Sequence, residues 1–382
     1  MNIKTMNIKT MNIKTMNIKT MNIKTMNMKT MNTRTKWKAL QSGLWMAVLL
    51  SGFWGCIAGE NPDLENLPYE QGYVIGNEGA FGSSNASIGF RSLTGGIYQA
   101  DVVGAVNQGL ITGDVLQSLF ANDSLLFAVL NNSNRILLLD RYRMEYKGEI
   151  GNLALPRYLV QGQQALYLSE WVNFSGNGRV QKMNSETAQL EGSVEVGALP
   201  EHLLAYQGKI YVPNSYENTV SVLTEVPFAK AADYIVGDYP QACLALNGSV
   251  WVLNGGKPDW TGAFSYGSWM KLDEQGQVLT EISLNQAQVN PNRVVASPDG
   301  RFAYFIFGGD VWFLDAYLET VGVLISGANA YGLGVDSRNG DVLVGESGDF
   351  SSASDVAIYN AQGQLQNRFK AGIAPSSFAV NP

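Results

Sequence analysis

The segment at residues 196–223 recurs in outline along this chain, and that recurrence limits the folds open to it more than any other feature. VGALPEHLLAYQGKIYVPNSYENTVSVL reads as a turn at 197–200, a strand at 202–206, a turn at Gln207-Gly208, a strand at 209–213, a polar loop at 214–218 and a strand at 219–223. β-Branched and aromatic residues fill the strands, while Gly, Pro and Asn mark the turns, as half-buried antiparallel sheet requires. One such unit cannot bury its own apolar face.

Copies of its second strand stand at Tyr73-Val74-Ile75, Phe127-Ala128-Val129, Tyr167-Leu168, Tyr211-Val212, Trp251-Val252-Leu253, Tyr304-Phe305-Ile306 and Leu343-Val344. Most spacings are 40 to 44 residues or a little under. The exceptions are 54 between Tyr73 and Phe127 and 53 between Trp251 and Tyr304, where loops are inserted. Seven four-stranded units of this length predict an all-β fold, a seven-bladed β-propeller of antiparallel blades that bury their faces only against one another. The first unit begins directly with its second strand at 72–76, and the chain finishes with a lone first-strand copy, Ser377-Phe378-Ala379-Val380. The C-terminal strand is therefore expected to complete blade 1 and remove an open edge.

Ahead of the propeller, at 72–382, the sequence divides into three stretches. Residues 1–35 are a pentapeptide repeat, five copies of MNIKT followed by MNMKT and MNTRT, with a polar, basic composition and no packed-core period, and so no reason to fold. It reads as a repeat-expanded leader, with translation starting at Met26 or Met31 as a variant of that reading. Residues 36–55 pair Lys36 and Lys38 with an apolar run ending at Gly55, the pattern of a secretory signal. The run is short for a permanent span, although an uncleaved anchor is the alternative. Residues 56–71, with Glu60, Asp63, Glu65 and Glu70 among prolines, read as an extended acidic tether.

Charge narrows the partners. The whole chain has a formal net charge of −7, but residues 1–55 hold nine Lys and Arg and no acidic residue. Their removal leaves 17 basic against 33 acidic side chains, a net charge of −16. So acidic a surface repels nucleic acid and anionic head groups. Motifs for catalysis are thin. His202 is the only histidine, which excludes a multi-His metal centre, and no P-loop, G-x-S-x-G, HExxH or haem-attachment motif occurs. No cofactor and no metal are expected. Cys243, the only cysteine besides Cys56, lies in a strand and is expected in the core.

An antiparallel meander sets which loops share a face: the turn leading into each blade and the loop between its second and third strands lie on one rim. That rim carries Glu78, Asn132, Arg157, Tyr158, Glu170, Trp171, Phe174, His202, Tyr216, Trp260, Phe264, Tyr266, Arg293, Tyr331 and Phe350, the candidate ligand-binding residues. Ordinary turn chemistry accounts equally well for many of its polar positions. Trp260, Phe264 and Tyr266 stand apart, because they fall in an insertion at 255–267 that no strand needs, and clustered aromatics of this kind mark binding surfaces. The opposite rim has short hairpin turns such as Gln207-Gly208 and Asn247-Gly248 and reads as scaffold.

The unit GxLPxxLxxxxGKIYVxNxxxNTVSV at 197–222 resembles the YVTN or YncE-type seven-bladed propellers. The opening YVIGNEG at 73–79, with GSSNASI at 82–88, GDVLQS at 113–118 and NNSNRI at 131–136, is similar to the Bacteroidetes surface-lipoprotein branch, which includes BtuG-like cobalamin-capture proteins. LSGFWGC at 50–56 resembles a bacterial lipoprotein signal, in which Cys56 would be the acylated first residue of the mature protein. The resemblance implies a non-catalytic protein anchored by lipid in the outer membrane and facing the exterior. It would capture a corrinoid for a TonB-dependent transporter. A surface propeller that binds a protein or glycan, and a lactonase-like enzyme, are the alternatives from other classes.

Overall fold

Each second strand carries apolar side chains on both faces, and the two faces serve different neighbours. Leu126 and Ala128 pack with Val74, Ile88 and Phe90 of blade 1, whereas Phe127 and Val129 pack with Leu166 and Leu168 of blade 3. The same alternation runs on through the chain, so that seven apolar clusters each join two adjacent blades. Burial therefore accrues only when blades stand side by side.

The computed structural model describes residues 67–258, 261–286 and 290–382. The expectations for the leader, the signal, Cys56 and most of the tether fall outside these residues, as does Trp260. Leu67–Pro382 forms one compact unit of seven four-stranded antiparallel sheets. Their inner strands are Pro375–Asn381 in blade 1, Leu116–Ala121 in blade 2, Pro156–Gln161 in blade 3, Leu204–Tyr206 in blade 4, Pro240–Leu246 in blade 5, Asn292–Ala296 in blade 6 and Ala330–Val335 in blade 7. Each touches the next all the way round. The chain is a seven-bladed β-propeller.

Ring closure is made by the last strand. Pro375–Asn381 pairs along Gly72–Asn77, so blade 1 joins the two ends of the domain. Asn381 is fully buried: its amide donates to the Tyr69 and Arg141 carbonyls at 2.7 and 3.1 Å and its Oδ1 accepts from Arg141 Nε at 2.9 Å. Blade 7 approaches so closely that a Cβ at Gly345 would overlap the Pro375 carbonyl oxygen, which reserves that position for glycine.

Two local readings change. The inner strand of blade 4 begins at Leu204 rather than at 202, because the His202 backbone leans across to blade 5 and bridges Ala242. The first long spacing holds a short helix, Val102–Val106, capped by Asp101, which buries Val102 and Val103 against the joint of blades 1 and 2. Cys243 lies fully buried in the joint of blades 4 and 5, where burial pushes its thiol pKa up.

Candidate ligand-binding cup

Every inner strand starts with one residue too many for its partner. Leu116 faces Leu130 and Ser118 faces Val129, which leaves Gln117 unpaired in a β-bulge. The same shift leaves Arg293 unpaired in blade 6, Tyr331 in blade 7, Gln241 in blade 5 and Ser376 in blade 1. In blade 3, Arg157 and Tyr158 oppose Ser169 alone. In blade 4 the excess lies between Pro200 and Leu204, and Glu201 follows Pro200 as Arg157 follows Pro156. A bulge bends its strand and re-aims the extra side chain. Here seven of them aim at one place, for Ser376, Gln117, Arg157, Glu201, Gln241, Arg293 and Tyr331 all line a single cavity of about 970 Å³.

The backbone ahead of the bulges is held in an uncommon conformation. Val115, Leu155, Leu199, Tyr239, Asn329 and Ala374, each just before the first residue of the bulged segment, have φ between 49° and 55°. In blade 6 Arg293 itself has φ 40°. Non-glycine residues rarely take such angles, and packing that enforces them commonly surrounds functional sites.

The side chains in the cup form one continuous network. Arg157 donates through Nε and Nη2 to Glu201 Oε1 at 3.1 and 2.8 Å and through Nη1 to Gln117 Oε1 at 2.5 Å, with its guanidinium 4.0 Å over the Trp171 ring. Arg293 crosses the axis from blade 6 to donate to the Gln117 carbonyl at 3.3 Å and to Tyr158 Oη at 3.0 Å. Its Nη2 stands 3.9 Å from Glu78 Oε2, which accepts from Tyr331 Oη at 2.5 Å. Tyr158 Oη also accepts from Gln117 Nε2 at 2.9 Å. Both its lone pairs are thus engaged, and among the described residues its own proton has no acceptor.

Electrostatically the cup balances two arginines against two carboxylates. Burial raises the Glu201 pKa and outweighs the opposing pull of Arg157 and, more weakly, Arg293; the Trp171 indole N–H also leans toward this carboxylate without closing a well-formed hydrogen bond. Burial likewise holds the His202 imidazole down to about 4, with the Arg293 charge adding to the effect, so His202 is neutral at ordinary pH. Its ring lies 5.1 Å from that of Tyr158, and among the described residues its Nδ1 makes no well-formed hydrogen bond. Burial works against the Arg293 charge, but Tyr158, Tyr331, Glu78 and Glu201 together hold its pKa above the usual arginine value. Among the described residues no group of three or more His, Cys, Asp or Glu is placed to hold a metal ion.

Of the residues expected on the rim, Glu78, Arg157, Tyr158, Trp171, Phe174, His202, Arg293 and Tyr331 line the cup. Glu170 does not. It is fully buried within blade 3, where its carboxylate accepts from the Ala154 N–H and from Arg179 and Gln181. Asn132 turns aside to donate to Asp114 at 2.6 Å. Tyr216 stacks on Tyr239, and Phe264 packs edge-on against Tyr266; both pairs lie outside the cup and are partly exposed. Phe350 packs edge-on against Tyr331 but is exposed and does not line the cup. Sequence reasoning did not single out Gln117, Glu201, Gln241, Ser376 or Phe81, although four of the bulge residues directly follow the prolines Pro156, Pro200, Pro240 and Pro375.

No family model matches the sequence, and no curated protein matches it. Solved structures do. A quinonprotein alcohol dehydrogenase-like protein from Bacteroides thetaiotaomicron aligns with a TM-score of 0.62 at 13% identity, over 84% of this chain and 80% of its own. A functionally unknown protein from Desulfotomaculum acetoxidans gives 0.62 at 11% identity, over 81% and 98%. Virginiamycin B lyase from Staphylococcus aureus gives 0.55 at 12% identity, over 69% and 91%. At such identities the likeness is one of fold alone, in keeping with the seven-bladed propeller.

Proposed function

We propose that this chain is a non-catalytic capture protein whose cup takes a neutral, amide-bearing ligand of medium size, with a corrinoid as the candidate. The observation that carries the reading is the electroneutral network round the cup with the Tyr158 proton left over. The charges already satisfy one another, so a charged ligand group would enter a buried site uncompensated, which is strongly unfavourable. A neutral carbonyl can accept from Tyr158 at no such penalty. Phe81 and Phe174, 81% and 71% exposed at the mouth, offer apolar faces for a broad ring system. Calorimetry of the purified protein with cyanocobalamin is expected to give saturable heat at one ligand per chain. Silence at micromolar protein removes the corrinoid.

In this reading a lipid on Cys56 anchors the protein at the outer membrane, facing outward, and the ligand passes to a TonB-dependent transporter. The exposed aromatics outside the cup, Tyr216, Phe264 and Tyr266, favour a second, macromolecular contact on the same rim. Affinity purification from detergent-solubilised membranes is expected to bring down such a transporter in stoichiometric amount. Recovery of surface glycan alone would favour adhesion instead.

A further inference from the structure

The bulge residues form one tier of the cup. Two residues further along an inner strand, the next side chain on the same face lies about 6–7 Å deeper. On blades 1, 2, 6 and 7 these deeper residues are Phe378, Leu119, Val295 and Leu333, and all four line the cavity. On blades 3, 4 and 5 they are Leu159, Leu203 and Cys243, none of which does. Leu203 and Cys243 lie wholly in the joints between blades, only 2% and 0% exposed, whereas Phe378, Leu119, Val295 and Leu333 border such joints and also reach the cavity. The cup therefore reaches deeper on blades 6, 7, 1 and 2, where the side chains two residues beyond the bulges are apolar. The charged and hydrogen-bonding side chains of the network, Gln117, Arg157, Glu201, Arg293 and Tyr331 with Glu78, lie in the bulge tier around the mouth of this deeper part.

We propose that this deep tier is a subsite for a compact, uncharged apolar group, a branched alkyl or a phenyl, carried by the same ligand whose polar groups meet the ring. An apolar wall open to water gains from an apolar occupant. The compensated charges of Arg157, Glu201, Arg293 and Glu78 lie at the level such a group must pass, and they admit a neutral group more readily than an ionic one. The subsite rests on the reading of the cup as a ligand site, but not on the ligand's being a corrinoid.

The probe is N-phenyl-1-naphthylamine, an uncharged dye that brightens in apolar surroundings, titrated into the full-length protein and into variants whose thermal transitions confirm folding. Val295→Phe and Leu119→Phe fill the deep tier; Tyr317→Ser removes an aromatic that is 70% exposed on the far rim. The expected result is one saturable site in the parent, a Kd raised at least tenfold by either filling substitution and unchanged by Tyr317→Ser, and at least tenfold weaker binding of the anionic analogue 8-anilino-1-naphthalenesulfonate. The inference is overturned if the parent does not bind the dye, or if both filled variants bind it as the parent does. Dye binding sensitive to Val295→Phe alongside silence with cyanocobalamin removes the corrinoid and keeps the subsite; the converse pair of results removes the subsite and keeps the capture reading.

Discussion

Deletion of residues 375–382 is expected to abolish the folded state rather than weaken it. The segment supplies the inner strand of blade 1, with Gly72 opposite Asn381 and Ile75 opposite Phe378. Phe378 and Val380 pack in the joint of blades 7 and 1, and Ala379 in the joint of blades 1 and 2. Without it, Gly72–Asn77 becomes an unpaired edge at the centre of the ring, and the Tyr69 carbonyl and the Arg141 side chain lose Asn381. A domain of this kind is stable by about 5–15 kcal/mol in total. Loss of a strand, its ladder and its share of two cores exceeds that margin. Near-ultraviolet circular dichroism should show no fixed aromatic environment in the truncated protein, and a synthetic peptide of residues 374–382 should restore part of the signal. A cooperative thermal transition close to that of the full chain would mean that the ring does not need its clasp.

Arg157→Ala is the point substitution with the largest expected effect. Arg157 and Glu201 are both largely buried, with side chains 13% and 9% exposed, and they hydrogen-bond through two nitrogens. Removing one member of a buried pair costs about 3–5 kcal/mol, because the other charge stays behind without compensation. The loss has a pH signature. Burial already raises the folded-state pKa of Glu201 above the ordinary value of 4.5, and Arg157 is the strongest influence against that rise. A carboxyl with a raised folded pKa takes up its proton more readily in the folded protein than in the unfolded chain. Its stabilising share is therefore complete below about pH 4.5 and is lost as pH rises through the folded value. Without Arg157 that folded value climbs further, so the penalty should be small in acid and grow toward neutrality.

Legibility in the sequence divides along the same physical line. Blade count and closure were readable because they depend on strand period: Tyr211-Val212 and its copies mark second strands, and the isolated Ser377-Phe378-Ala379-Val380 has no other blade to join. The shared rim was readable because strand direction alternates, which is why Glu78, Trp171 and Arg293 could be assigned to one face across more than 200 residues. Side-chain direction within that face was not. Glu170 and Trp171 are neighbours, yet one is buried against Arg179 and the other faces the cup. The bulges decide such matters, and a bulge is a feature of pairing between two strands rather than of either sequence alone. Gln117 and Gln241 thus carried no sign in the sequence that they face the cup. Only the prolines before Arg157, Glu201, Gln241 and Ser376 hinted that the same backbone event repeats.

The claim on which the functional reading depends is that the bulge residues hold buried charges in one compensated network. Urea midpoints of the parent, Arg157→Ala and the double variant Arg157→Ala/Glu201→Gln, measured from pH 4 to 8, test it most directly. The predicted result is a deficit in Arg157→Ala that widens with pH and largely disappears in the double variant, in which no charge is left unpaired. A deficit that is constant across this range, and undiminished by Glu201→Gln, would contradict it.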